Sequence, residues 1–459
     1  MKKIKIISLI CVIILFSACS INVKVDELLS PPKLTQQQDA IYKALQNFVG
    51  KNIKLKYPRT GKYRSAFVLA NIDDEPGDEA LVFYELESSD GSSSLLRVNL
   101  LDQDEDENWF SAFDFAGFGS DVDEVVFSNL GTIGDTKIII GYSALNQTQK
   151  SMCVLTYRNK RLTEIVSDTP YSYMEVLDLN LDGSEELILL NQDNATQTAK
   201  ATLFKTNSSG VFYKVTETDA MENVSEYINI SSGFAEKGQF GLFIDYSKSA
   251  NQYGTDFIYY MGNRLINPIK ETNQTLNTNR LSNNYNGVTV SMDIDDDGII
   301  EIPASVPFPG YTTLSKQDQL NATIWYNLKN DKLTRKYYTY YSMKNKYIFI
   351  FPERWRDVVT AEINQELNEI TFFEASEFQA NFKYDGKRIK DPLLVIKTLD
   401  KTALGDDFYY TETELFEEGY IFISNNQNKN YYILLGNQED NMKITKDDFI
   451  SSFIVLDAE

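Results

Sequence analysis

Two stretches of the chain place acidic and amide side chains at alternate positions of a short loop, a pattern suited to a hard cation. The two ligand sets are Asp178, Asn180, Asp182 and Glu186, and Asp293, Asp295, Asp297 and Glu301. Side chains at positions 1, 3 and 5 of a tight loop converge on one point, and a glycine at position 6 permits the turn that brings a later glutamate round. Gly183 and Gly298 occupy that position. The sequence therefore predicts two loops that bind Ca²⁺.

These two loops differ from an EF-hand. The last acidic residue comes at position 9 instead of position 12, and an apolar strand follows where an EF-hand has a helix. Because clustered carboxylates repel one another until a cation neutralises them, we expect the Ca²⁺ to be structural instead of catalytic. The same residue types also form β-turns whose side chains cap their own backbone without a metal, and this interpretation stays open.

A third and looser copy of the loop carries weaker candidate ligands for a metal. These are Asn71, Asp73, Glu75 and Glu79. Pro76 stands at the glycine position of this copy. Two degenerate copies, at residues 129–135 and 234–238, carry almost no carboxylates at the ligand positions, so we do not expect them to bind a metal.

The composition excludes several kinds of chemistry. The chain has 459 residues, a net charge of −22 and no histidine. Without histidine there is no Ser-His-Asp or Cys-His nucleophile system and no histidine-ligated zinc. The strong acidity argues against nucleic-acid binding, which needs a basic surface. Cys153 lies in an apolar, strand-like run, so we expect a buried structural thiol there.

The N-terminus predicts the location of the protein. Residues 1–18 join a lysine-rich start to an apolar run of signal-peptide length. The segment Phe16-Ser17-Ala18-Cys19 is similar to a bacterial lipobox, which predicts acylation of Cys19, including palmitate, and a tether over residues 19–33. Two acyl chains suffice for stable anchoring at the outer face of the cell membrane. The alternative is an ordinary secretory signal with a chance cysteine.

The pattern of the remaining chain is mainly β. Residues 34–50 have apolar residues at helical spacing and predict an amphipathic helix. Residues 51–338 show short runs of β-branched and aromatic residues between polar turns. The loops recur at intervals of roughly 50 to 60 residues, with room for four strands each, as in β-propeller blades. We therefore predict a β-propeller of at least five four-stranded blades, followed by a small α+β domain over residues 339–459.

The loops also carry a resemblance to a known family. Their pattern Asp-x-Asn/Asp-x-Asp-Gly-x-x-Glu, followed by an apolar strand, resembles the FG-GAP/VCBS repeats of integrin-like β-propellers. Residues 28–34, 57–58 and 63–67 resemble uncharacterised VCBS-repeat lipoproteins of Gram-positive, clostridia-like bacteria. The pattern Phe349-x-Phe351-Pro352-x-x-Trp355 is similar to the start of PsbP/Mog1-like domains. The resemblance implies Ca²⁺ only at the matching loops, and the family has no assigned activity.

Three functions are compatible with these features. The first is a non-enzymatic surface lipoprotein whose propeller binds a protein or glycan ligand, in binding or adhesion. The second is a carboxylate-based glycan-active enzyme, since two suitably spaced acids suffice for glycoside cleavage. The third is a factor that captures a solute or serves envelope assembly, although the alternating β and α pattern of solute-binding proteins is missing. We favour the first, with no catalytic residue and with the membrane as a partner through the lipid.

Overall fold

A computed structural model describes most of the chain after the N-terminal segment. The described residues are 34–73, 75–86, 95–131, 134–143, 149–207, 209–249, 252–271, 282–283, 287–315, 318–377, 392–401, 412–436 and 441–456. The predicted signal peptide, the lipidation site Cys19 and the tether lie outside them. The fold is mainly β, and the chain forms two compact units, one up to Glu124 and the other from Val125.

The first unit pairs a helix with an antiparallel sheet. Helix α1 (Gln36–Val49) begins at Thr35, whose hydroxyl accepts a hydrogen bond from the N–H of Gln38 in a capping box. Its buried residues Ile41 and Leu45 belong to one apolar cluster with the sheet. The strands of this sheet are β1 (Ile53–Lys56), β2 (Phe67–Ala70), β3 (Glu79–Leu86), β4 (Leu96–Gln103) and β5 (Trp109–Ala116). The helix lies within the segment 34–50 for which the sequence predicts it.

Three sheets of four consecutive antiparallel strands follow. The first contains β6 (Asp121–Ser128), β7 (Lys137–Ser143), β8 (Lys150–Arg158) and β9 (Arg161–Tyr171). The second contains β10 (Tyr173–Leu177), β11 (Glu186–Asp193), β12 (Thr198–Thr206) and β13 (Phe212–Glu222). The third contains β14 (Glu226–Glu236), β15 (Gln239–Ser249), β16 (Gln252–Met261) and β17 (Arg264–Ile266). Each strand pairs with the next one along the chain, as short hairpin connections require.

The rest of the second unit contains three further sheets. A short helix α2 (Pro268–Glu271) precedes the two-residue strands β18 (Ser282–Asn283) and β19 (Gly287–Val288). The next sheet contains β20 (Ile302–Pro307), β21 (Asn321–Lys329), β22 (Lys332–Ser342), β23 (Tyr347–Ile350) and, from the end of the chain, β29 (Phe453–Val455). The last contains β24 (Val359–Asn364), β25 (Glu369–Glu374), β26 (Leu394–Asp400), β28 (Lys429–Leu435) and β27 (Ile421–Asn425), in that order.

Short helices complete the C-terminal part. They are the 3₁₀ helices Glu353–Trp355 and Ala375–Glu377, and the α-helices α3 (Glu412–Glu417) and α4 (Lys446–Ser451). Thr445 caps α4 in a capping box with Asp448, and the order Thr-x-x-Asp in the sequence already indicates this cap. The domain boundary predicted between residues 338 and 339 falls inside β22, and that boundary stays a prediction. No helix in the described part of the chain is long and apolar enough to cross a membrane.

The five loops that the sequence singles out lie at corresponding places in these sheets. Residues 71–79 join β2 to β3, residues 129–137 join β6 to β7, and residues 178–186 join β10 to β11. Residues 234–238 surround the turn from β14 to β15, and residues 293–301 precede β20, where Met292 and Glu301 form an isolated bridge. The first four loops each join two strands that pair with each other, whereas loop 293–301 leads into β20, the first strand of its sheet.

Candidate functional site

Loops 178–186 and 293–301 share one backbone conformation. Position 4 has a left-handed φ in both, 58° at Leu181 and 57° at Asp296. The glycine at position 6 is also left-handed, with φ of 88° at Gly183 and 82° at Gly298. Only glycine adopts this conformation without strain, which is why the sequence pattern requires it. The prediction of the turn glycine is confirmed at both loops.

The aspartate at position 1 is committed to the backbone of its own loop. Asp178 accepts hydrogen bonds from the N–H groups of positions 5 and 6, at 3.0 and 2.7 Å. Asp293 accepts the same two bonds, at 3.2 and 2.7 Å. The position 5 carboxylates, of Asp182 and Asp297, each accept the N–H of position 7 at 2.9 Å through Oδ1. These bonds satisfy donors that a tight turn would otherwise leave without a partner.

The glutamate at position 9 is buried in all three acidic loops. Glu186 and Glu301 are 0% exposed, and Glu79 is 4% exposed. In each case Oε2 accepts the backbone N–H of position 2, at 2.8 Å in loops 71–79 and 178–186 and at 3.1 Å in loop 293–301. The residues at position 2 are themselves buried apolar side chains. The glutamate thus fixes the start of its loop to the start of the next strand.

A lysine ammonium group contacts the remaining oxygens of loop 293–301. Lys336 Nζ lies 2.6 Å from Asp297 Oδ2, 2.9 Å from Glu301 Oε1 and 2.9 Å from Asp295 Oδ2. The Tyr337 hydroxyl donates to Asp295 Oδ2 at 2.6 Å. Burial raises the pKa of Glu301 to about 7, and the Lys336 ammonium group opposes this rise.

Loop 178–186 has a lysine in the same role. Lys205 Nζ forms an ion pair with Glu186 Oε1 and lies 3.6 Å from Asp182 Oδ2. Burial raises the pKa of Glu186, and the hydrogen bond and charge of Lys205 oppose it. Asn180 donates to Asp182 Oδ2 at 2.8 Å, so the predicted ligands of this loop do lie together.

Strand pairing places these two lysines. Lys205 lies opposite Glu186, one step beyond the Leu187–Phe204 pair of β11 and β12. Lys336 is the extra residue of a β-bulge in β22, since Tyr337 pairs with Trp325 and Arg335 pairs with Tyr326. A bulge changes the direction of a side chain, and here it allows Lys336 to reach across β21.

Beside loop 71–79, an aspartate stands at the position across from the glutamate that Lys205 occupies beside loop 178–186. Asp102 lies across from Glu79, one step beyond the Ala80–Leu101 pair of β3 and β4. Burial is the largest cause that raises the pKa of Glu79 to about 7, and the charges of Asp73 and Asp102 raise it further. Asp73 Oδ2 is buried and has no hydrogen-bond partner among the described residues. Within the described ranges, no lysine or arginine forms an ion pair with Glu79.

Residues 129–137 reverse the charge pattern of the acidic loops. Lys137 stands at position 9, is 1% exposed, and its Nζ lies 2.5 Å from Asp135 Oδ2. Thr156 donates to Asp135 Oδ1 at 2.9 Å. Position 2, Leu130, is buried like the corresponding residues of the acidic loops. A lysine ammonium group therefore neutralises a carboxylate in this loop as well.

Carboxylate oxygens of Asp293, Asp295 and Asp297 lie within 4.8 Å of one another, close enough to hold a metal ion. Their donor set nevertheless does not fit Ca²⁺ in this arrangement, because Lys336 lies among the oxygens that the ion would need. The same holds for Lys205 in loop 178–186. Ca²⁺ requires six to eight oxygen ligands. In loop 71–79, no lysine or arginine of the described residues forms an ion pair with Glu79, but the carboxylates described there do not form a group of three as close as that of loop 293–301.

The two lysines are the functional residues that the sequence analysis missed. Lys205 follows Glu186 by 19 residues and Lys336 follows Glu301 by 35, so no fixed spacing reveals them. A partial signal exists for Lys205, a charged residue near the end of a strand whose neighbours are mostly buried. Cys153, by contrast, is buried as predicted, and burial raises its pKa to about 12.

A polar cleft of about 980 Å³ lies at the other end of β11. Its side chains are largely amides, hydroxyls and tyrosines, among them Asn191, Gln192, Ser172, Tyr173 and Tyr227. Because β11 runs from Glu186 to Asp193, the cleft and loop 178–186 are separated by about 23 Å along the strand.

Two oxygens at the wall of this cleft lack partners. Asn191 Oδ1 and Tyr227 Oη are shielded from solvent and accept or donate no hydrogen bond among the described residues. Gln192 is held in place, since its Nε2 donates to the carbonyl oxygens of Val224 and Ser225 at 3.0 Å each. Buried polar groups without partners are uncommon, and an ordered water or another bound molecule would complete them.

Comparison with known proteins gives no family for this chain. No family model and no curated protein matches it. Among solved structures, it is similar to a "putative 6-phosphogluconolactonase" from Bacteroides uniformis, with 11% identity and a TM-score of 0.27 over 66% of this chain and 79% of that chain. A similarity at this level carries no argument about fold or function.

Proposed function

We propose that the protein is a lipid-anchored, extracytoplasmic β-propeller that binds a neutral, hydroxyl-rich ligand, a glycan, without chemical conversion. The observation that carries the binding function is the polar cleft beside Asn191 and Tyr227. The location rests on the signal sequence and the Cys19 lipobox. The four-stranded sheets, with their acidic loops at corresponding places, support the propeller arrangement.

The chemistry of the cleft supports a glycan ligand. Amide and hydroxyl groups both donate and accept hydrogen bonds, as the hydroxyl groups of a sugar do. Tyrosine rings such as Tyr173 and Tyr227 add apolar faces with a polar end. A sugar hydroxyl would provide the partner that each oxygen lacks once a side-chain movement in the cleft wall exposed Asn191 Oδ1 or Tyr227 Oη. The charged lining residues, Asp193, Lys200 and Glu226, are exposed and lie among these neutral groups.

Calcium belongs to this proposal at one loop. We assign it to loop 71–79, where the charges of Asp73 and Asp102 raise the pKa of Glu79 and no lysine or arginine of the described residues forms an ion pair with Glu79. A divalent cation there would remove the repulsion among the carboxylates and stabilise the turn. Its role is structural, because nothing in the loop resembles a substrate-binding pocket.

A glycan-binding assay with the detergent-solubilised full chain tests the proposal. The probes are neutral and acidic envelope polysaccharides immobilised on an array. We expect binding to one or more neutral polysaccharides, at least tenfold weaker in Tyr227→Phe and Asn191→Leu. Tyr213→Phe removes the same hydroxyl group from a 44% exposed side chain outside the cleft, and it should bind like the wild type.

The outcomes separate the parts of the proposal. Binding that both cleft variants retain would place the glycan site elsewhere and contradict the assignment of the cleft. Absence of binding to every polysaccharide, with a folded chain, would contradict a glycan ligand and favour a protein ligand. Release of altered sugar products would contradict the non-enzymatic function. The Cys19→Ser variant tests the lipid anchor, because it should no longer associate with the membrane.

A further inference from the structure

In the second unit, loops 178–186 and 293–301 are each contacted by a lysine from another strand at the place where the resemblance implies Ca²⁺. Lys205 and Lys336 are the relevant residues of the two loops with a full acidic pattern. Their side chains are similarly shielded, at 16% and 17% exposure, and each contacts a glutamate that is fully buried. Each ammonium group also lies 5.3 Å from the centre of a tyrosine ring, Tyr260 for Lys205 and Tyr337 for Lys336.

The oxygens that contact the lysines are those that the loop backbone leaves available. At position 1 both aspartate oxygens accept backbone N–H groups, and at positions 5 and 9 one oxygen of each carboxylate does so. The second oxygens, Asp297 Oδ2 and Glu301 Oε1, are the ones that lie 2.6 and 2.9 Å from Lys336 Nζ. An ammonium group has three N–H donors, which matches this small number of oxygens.

We infer that Lys205 and Lys336 are the resident cations of loops 178–186 and 293–301, so that these loops close without a metal ion. Each lysine contacts the carboxylates at positions 5 and 9 and supplies one positive charge between them from a later strand of the same sheet.

The residues at position 9, across from position 9 and at the neighbouring β-bulge can be compared among the loops, and they support this inference. Residues 129–137 contain their own ammonium group at position 9, where Lys137 contacts Asp135. In loop 293–301 the residue across from Glu301 is Asn327, which donates to Glu301 Oε1 at 3.2 Å, and the bulge supplies the lysine beside it. The β-bulges at corresponding positions of the sheets around loops 71–79 and 178–186 carry Ala112 and Val215 instead. A lysine is therefore supplied either across from position 9 or at the bulge.

Calcium binding by the full chain in detergent tests the inference, with Ca²⁺ as the only probe and EDTA as its chelator. Asp297→Asn removes one carboxylate charge that a metal in loop 293–301 would need. We expect the number of Ca²⁺ ions bound per chain to be the same in Asp297→Asn and the wild type. A loss of one bound ion in Asp297→Asn would overturn the inference.

A stability measurement in EDTA provides the second readout. Lys336→Met should lower the urea midpoint of unfolding, because it leaves Glu301 and Asp297 without a cation. Lys332→Met makes the same change at an exposed position of β22 and should leave the midpoint unchanged. Equal midpoints for Lys336→Met and Lys332→Met would overturn the inference. If Lys336→Met does not fold, Lys336→Arg should still fold in EDTA, because it retains the charge. Failure of Lys336→Arg to fold in EDTA, with folding restored by Ca²⁺, would overturn the inference.

Discussion

Loops 293–301 and 71–79 both bury a glutamate at position 9, but the charged residues beside that glutamate differ. Each has a buried glutamate at position 9 whose Oε2 accepts the N–H of position 2, and in each burial raises the pKa of that glutamate to about 7. Lys336 opposes the rise in the first loop, whereas Asp73 and Asp102 add to it in the second. The comparison indicates that the acidic pattern alone does not decide which charge lies beside the buried glutamate. The residue supplied by the neighbouring strands does.

Removal of the lysine should produce the largest effect. Lys336→Met should lower the free energy of unfolding by about 3 to 4 kcal/mol, because loss of one partner leaves a buried charge uncompensated. Urea denaturation measures it, with Lys332→Met as the matched control. If both variants lost the same stability, the difference between the two loops would not come from the ammonium group.

Calcium should act on the other loop. Saturation with Ca²⁺ at a hundredfold excess over its Kd should stabilise the first unit by about 2.7 kcal/mol. Glu79→Gln should abolish this gain, whereas Glu301→Gln should leave it intact. Thermal unfolding with and without EDTA measures the effect. A gain that survives Glu79→Gln would remove calcium from loop 71–79.

The pH dependence sharpens the comparison further. The pKa of Glu79 and that of Glu301 rise from 4.5 to about 7 on folding, so each adds stability that is fully present below pH 4.5. That stability is lost as the pH rises through about 7, by an amount on the order of 1 to 3 kcal/mol for each group. Saturating Ca²⁺ should remove the part due to Glu79 and retain the part due to Glu301. Urea titrations between pH 4.5 and 8 test this, and an unchanged profile in Glu79→Gln would contradict it.

The smallest effect concerns the backbone of loop 178–186. Leu181 has a backbone φ of 58°, in the left-handed region, and its side chain is 52% exposed, so burial does not compensate for the backbone strain. Leu181→Asn should raise the free energy of unfolding by about 0.5 to 1 kcal/mol, because asparagine tolerates the left-handed region. Asn180→Ser, at position 3 of the same loop, tests whether the gain in the free energy of unfolding is specific to position 4.

Much of the fold follows from local signals in the sequence. The helix near Ile41 and Leu45, the strand beginning at Leu187 and the Thr445 cap each depend on residues close together in the chain, and the structure has all three. The glycines of the two acidic loops were likewise predictable, because only a left-handed residue permits the turn.

The positions of Lys336 and Asp102 beside the buried glutamates could not be predicted from the sequence, and the reason is physical. Lys336 reaches Glu301 only because a bulge in β22 inserts an extra residue, and nothing near Glu301 in the sequence encodes that bulge. Asp102 lies across from Glu79 through strand register, which also depends on distant residues. Loop 71–79 ranks below the other two as a metal site in the sequence because Pro76 stands at its glycine position, and that ranking stays a prediction.

An experimental structure of crystals grown with calcium tests the central claim most directly. The account predicts Lys336 Nζ in contact with Asp297 and Glu301, with no ion between these carboxylates. A spherical density peak with six to eight oxygens at about 2.3 to 2.6 Å, and Lys336 turned away from the loop, would contradict it.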